Sequence, residues 1–93
     1  MIAQQDERLL VRGSITIANV KSELEAGLAL LTRDALTIDL AGVEEADSSA
    51  LSMLLEWQRA AHRNGHSLRY VNMPANMKSL AQLYGVEDLI PQN

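Results

Sequence analysis

The side chains best placed to do chemistry stand together at Asp47-Ser48-Ser49. Small oxygen-bearing groups in a row, followed by the apolar run Ala50-Leu51 and Met53-Leu54-Leu55, fit the start of a helix. There the first backbone N–H groups lack partners and donate to a side-chain oxygen. Ser48 is read as that cap. It also admits a second role, because a phosphate on its hydroxyl would meet the positive end of a helix dipole. It would add nearly two negative charges to any interface formed there. Asp47 would oppose that charge, so modification should break a contact more than repair a helix.

Other groupings carry less. His62 and His66 are four apart, a spacing that can bind metal on a helix, but Gly65 lies between them and no third ligand is evident. Glu44, Glu45 and Asp47 form an acidic cluster, which a solvated loop explains without acid–base chemistry. Ser48, His62 and Asp39 supply a hydrolytic triad in composition only. No Gly-rich loop ending in Lys-Ser or Lys-Thr cradles a phosphate. Asp39, near the end of a short strand, is expected to hydrogen-bond backbone or hydroxyl groups in the loop before Asp47 and so to support the Ser48 region. No metal and no cofactor is expected.

Short elements must position these residues. Arg8 to Val11, a turn at Gly13-Ser14, and alternating Ser14-Ile15-Thr16-Ile17 read as a hairpin. Ala18 to Thr32 reads as a helix, with Val20, Leu24, Leu28 and Leu31 in one stripe. Leu36 to Leu40 alternates as a strand, and Ala41-Gly42 signals a loop. A second helix runs from the Asp47-Ser48-Ser49 start to about Asn64, where Gly65 stops it. Ser67 to Met73 returns as a strand. Pro74 opens a third helix in which Met77, Leu80, Ala81 and Tyr84 share a face, and Gly85 ends it. This order predicts one α/β domain over residues 1–93, a mixed sheet of about four strands with helices packed against it. The later strands, joined through helices, should be parallel.

The second helix has a wider apolar arc than one buried face requires. Leu51, Leu54, Leu55 and Ala61 form the core side, and Ser52, Glu56, Arg59 and Arg63 the polar wedge. Met53, Trp57 and Ala60 lie on the flank. Either that flank packs beneath a neighbouring helix, or Met53 and Trp57 anchor a partner, as Trp does at many binding hot spots. The expected partner-binding set is Asp47, Ser48, Ser49, Met53 and Trp57, with Ser48 the candidate phosphorylation site.

Composition narrows the classes. The chain carries eight basic and twelve acidic side chains for a net charge of −4, without the basic face that phosphate backbones require. There is no Cys, which excludes disulfides and thiolate sites and fits a reducing cytosol. There is no Phe and one Trp, so the core must be mainly aliphatic. No segment approaches the roughly 20 apolar residues of a membrane helix, and Met1 to Glu7 lacks the character of a signal peptide. A cytoplasmic chain that contacts neither nucleic acid nor the membrane interior is expected.

Ile38-Asp39-Leu40, a short loop and Ala46-Asp47-Ser48-Ser49-Ala50-Leu51 resemble the signature of STAS domains, and the order of elements extends that resemblance over nearly the whole chain. Leu54-Leu55-Glu56-Trp57, Asn72-Met73-Pro74, and Leu80 to Val86 with Leu89-Ile90-Pro91 are similar to the MlaB-type branch. The resemblance implies a non-catalytic subunit that binds the ATPase of an ABC transporter moving phospholipids between two membranes, held at the inner membrane through that partner. It also implies an alternative, since Ser48 stands where anti-sigma-factor antagonists carry their phosphorylated serine. A small-molecule carrier or enzyme is a third class, with few converging polar groups to support it.

Overall fold

The computed structural model describes residues 1–91. β1 (Ile2–Gln5) and β2 (Arg8–Ile15) pair antiparallel. Their turn is Asp6-Glu7, with Asp6 in the left-handed region at φ 56°, where a short polar side chain is tolerated. The hairpin thus forms one turn earlier than the sequence suggests. Gly13 lies inside β2 at φ 80°, beside a shift in the β2–β3 register. A glycine in this conformation within a strand marks a bulge, not a turn.

β3 spans Ala35–Ala46, much longer than the alternation of Leu36 to Leu40 indicates. Ala41-Gly42 is a second bulge in place of the expected loop, because Leu10 faces Asp39 while Arg12 faces Gly42. A Cβ on Gly42 would lie 2.8 Å from Arg12 Cγ and 3.1 Å from the Val11 carbonyl, so the close approach of the paired β2 strand favours glycine there. β4 (Ser67–Val71) joins the other side of β3. The sheet runs β1-β2-β3-β4, with β2, β3 and β4 mutually parallel.

Three helices, α1 (Val20–Leu30), α2 (Ser48–Arg63) and α3 (Ala75–Leu83), follow in the expected order, and a 3-10 turn (Glu87–Leu89) closes the chain. Alternate strand residues are buried on one face only, where Leu9, Val11, Ile15, Leu36, Ile38, Leu40, Leu68 and Tyr70 meet the helices. α2 is the central helix and touches α1, α3 and β4. Two polar tips inside this aliphatic core find partners. The Tyr70 hydroxyl donates to the Leu54 carbonyl at 2.8 Å, and the Trp57 indole N–H donates to the Leu24 carbonyl at 3.0 Å.

Trp57 is 0% exposed and Met53 1%, which corrects the expectation that they anchor a partner. The flank of α2 is covered by α1, whose Gly27 lies flat against the indole. Removing about 200 Å² of indole surface from water contributes on the order of 5 kcal/mol before entropy is counted. Trp57 therefore holds α1 to α2, and neither residue presents anything to an incoming chain. Among the described residues, no helix is long and apolar enough to cross a membrane.

Candidate functional site: the groove beside Ser48

The start of α2 sits at the end of the sheet where β2 and β3 stop together, with Ile15 opposite Ala46. Asp47, not Ser48, is the N-cap. Its Oδ1 accepts the Ser49 backbone N–H at 2.9 Å and also the Ser49 hydroxyl. Its Oδ2 accepts the Ile17 N–H at 3.0 Å. The Ser49 hydroxyl, followed by the Ile17 N–H, holds the Asp47 carboxyl below its ordinary value of 3.8. Ser48 occupies the first helical position and is exposed. The hydroxyl pattern shows where the helix begins, but a carboxylate accepts charge-assisted bonds more strongly than a neutral hydroxyl and takes the cap.

The surroundings of this corner are fixed by side-chain to backbone bonds. Asn19 Oδ1 accepts the Thr16 N–H at 2.9 Å and its amide donates to the Ser14 carbonyl at 2.7 Å, shaping the turn that carries Ile17. Asn76, in the first turn of α3, donates to the Ala46 carbonyl at 3.4 Å.

Between these elements lies an open hollow of about 430 Å³. Ser48, Ser49, Leu51, Ser52 and Leu55 of α2 line it, with Ile17 on one side and Tyr84 and Val86 on the other. Ile17 is 79% exposed and Tyr84 57%. Three serine hydroxyls, the Tyr84 phenol and several apolar side chains share one solvent-facing surface, with no catalytic base among them. Ile17, Leu55, Tyr84 and Val86 escape the sequence reading because Ile17 looks like strand, and Leu55 and Tyr84 fall on stripes assigned to the core. Tyr84 is the C-cap of α3, where the helix ends before its stripe returns to the sheet.

Asp39 does not reach this corner. It lies partly exposed on β3, on the face away from the helices, where Oδ1 accepts the Ala41 N–H at 2.9 Å and the Asn72 amide at 3.1 Å. Oδ2 accepts Arg8 Nη1 at 3.0 Å. The Ala41 N–H is the main cause of its lowered pKa, with Asn72 and Arg8 adding to it against partial desolvation. The expected bond to backbone just after the strand is thus present, at the Ala41 N–H, but it ties the bulge to β2 and to the turn after β4 and makes no link to Ser48. His62 is exposed, and His66 Nε2 lies 3.9 Å from Asp34.

The family model described as "Mlab, STAS domain" matches residues 1–91. The chain belongs to the Mlab-type STAS domain family. Among curated proteins no sequence match is found. Solved structures share the STAS fold. A chain of the Acinetobacter MlaFEDB complex in its ATP-bound Vtrans1 conformation has a TM-score of 0.81 at 24% identity, with 100% of each chain covered. A putative anti-sigma factor antagonist from Thermotoga maritima has a TM-score of 0.79 at 12% identity, covering 99% of this chain and 83% of that one. The phosphorylated form of the Bacillus cell fate determinant SpoIIAA has a TM-score of 0.63 at 11% identity, covering 100% and 89%. At these identities the likeness is one of fold, which this chain shares with a chain of the MlaFEDB complex and with anti-sigma factor antagonists alike.

Proposed function

We propose that this STAS domain is a non-catalytic subunit that docks onto the ATPase of an ABC transporter for intermembrane phospholipid trafficking. It is cytoplasmic and peripheral to the inner membrane through that partner. The groove beside Ser48 carries the reading. Ile17 and Tyr84 are exposed and Leu55 is half-buried around one hydroxyl-lined hollow, and apolar side chains gathered in this way mark a protein interaction surface. Membership of the Mlab-type family, and likeness along the full chain to a component of MlaFEDB, support an ATPase as the partner. Asp47, Ser48 and Ser49 form the polar rim, and Leu55 the apolar floor.

Co-purification with the cognate ATPase tests this. The parent chain should retain the ATPase, while Leu55→Asp and Ser48→Glu should each lower recovery at least tenfold. A carboxylate would then face an apolar partner surface or the Asp47 carboxylate. Equal recovery in all three removes the groove from the interface.

The exposed Ser48 hydroxyl also favours a second reading, a serine phospho-switch of the anti-sigma-factor-antagonist type. Incubation with a candidate kinase and ATP, followed by intact-mass measurement, separates the two. A gain of one phosphate lost in Ser48→Ala supports the switch. An unchanged mass supports the transporter subunit.

A further inference from the structure

The hollow beside Ser48 does not end at Leu55. A second hollow of about 350 Å³ begins there, lined by Leu55, Gln58, Arg59, His62 and Leu89. Leu89 is 59% exposed. The two hollows share Leu55 and follow one side of α2. Val86 belongs to the first and Leu89 to the second, so the 3-10 turn forms the opposite wall. Between those two residues stand exposed Glu87 and Asp88, with no cationic partner within ion-pair distance among the described residues. Across from them Arg59 is already paired with Glu56.

Resting on the docking reading above, we infer that this groove receives an amphipathic helix of the partner, with two large apolar residues seven positions apart and a Lys or Arg between them. The spacing follows from α2. The first hollow is centred near Ser52 and the second near Arg59, seven residues on, or about 10.5 Å along a helix. A partner helix laid along α2 places its i and i+7 side chains at that separation. The helical form follows from the walls, which are side chains of α2 and the 3-10 turn and include no open strand edge. An occupant gains no backbone ladder from them, so its own N–H and C=O groups must pair internally. The basic residue follows from Glu87 and Asp88, the uncompensated charges between the two apolar seats.

Site-specific photocrosslinking of the full chain in complex with the ATPase tests the geometry. p-Benzoylphenylalanine replaces Tyr84, Leu89 or, as a control on the open face of the sheet, Arg69. Crosslinks from positions 84 and 89 should map to one partner helix about seven residues apart, with none from 69. Crosslinks about three residues apart, as in an extended strand, or on unrelated segments, overturn the helix. If the ATPase is recovered but neither position crosslinks, the extended groove is wrong while the docking reading stands. If the parent chain recovers no ATPase, the docking reading itself falls. Glu87→Lys with Asp88→Lys should slow association about tenfold at low salt, the difference closing near about 0.5 M salt. An unchanged rate overturns the basic residue.

Discussion

Gly27→Ala should destabilise this protein, although helix propensity alone says the opposite. In an exposed helix interior, replacing Gly with Ala stabilises by about 1 kcal/mol. At position 27 the added Cβ would lie 2.2 Å from Trp57 Cζ2, 2.3 Å from Cε2 and 2.6 Å from Nε1. Ordinary carbon contacts lie near 3.5–4.0 Å, so helix and ring must separate by more than 1 Å (about 1.3 Å at least). The indole cannot swing aside freely, because it is fully buried and its N–H is bonded to the Leu24 carbonyl on the same helix. Overpacking of this kind costs about 1–3 kcal/mol. Losing the indole bond adds about 1 kcal/mol. Set against the propensity gain, the net loss is about 1–3 kcal/mol, a fall in Tm of roughly 5–20 °C for a domain this size. Urea unfolding read by fluorescence suits the test, since Trp57 is the only tryptophan. Its emission should also shift to the red in the folded variant as α1 lifts. In a Trp57→Leu background the same Gly27→Ala change should be close to neutral or stabilising. Stabilisation of the parent by about 1 kcal/mol, with unchanged emission, would refute the packing account.

Tyr70→Phe should cost about 1 kcal/mol in urea unfolding, since it removes only the hydroxyl bond to the Leu54 carbonyl; no change would mean that the bond contributes nothing net. Burial pushes the Tyr70 phenol well above its ordinary value of 10.0, so the folded state holds that proton more tightly than the unfolded one. Its contribution is complete below pH 10.0 and is lost as pH rises further, and Tyr70→Phe should flatten the alkaline arm of a Tm-against-pH profile. Asp39 and Asp47 have lowered values, so their contributions are present above about pH 3.8 and are lost as pH falls below it. Asp39→Asn and Asp47→Asn should each reduce the acid-side slope of the same profile. Asp39→Ala should lower Tm while leaving ATPase recovery unchanged, because its partners lie away from the Ser48 corner.

Element order, the parallel later strands and the start of α2 were legible because each rests on a local signal: alternation, a four-three stripe, a polar cap before an apolar run. Bulges were not legible, because Gly13 and Ala41-Gly42 carry the same residue types as turns. Only the partner strand paired alongside shows that the chain continues straight. The cap was displaced by one residue because Asp and Ser both suit it, and a second donor, the Ile17 N–H, arrives from far along the chain. The apolar flank of α2 was visible, but its direction was not. Gly27 reads as a weakness in α1 until the indole is placed against it, and Leu55 reads as core until α3 and the 3-10 turn stop short of covering it. What a periodicity cannot report is which apolar residues a small domain has too few elements to cover.

The Asp47 carboxylate grips two stretches of chain far apart in sequence, one oxygen on the Ile17 amide and the other on the Ser49 amide at the head of α2. On the docking reading, a visiting polypeptide consequently finds its seat already assembled, and little ordering remains to oppose its arrival. Neutralising that one side chain would leave every apolar surface intact and yet let the two banks drift, so attachment would weaken through lost order as well as through the altered rim.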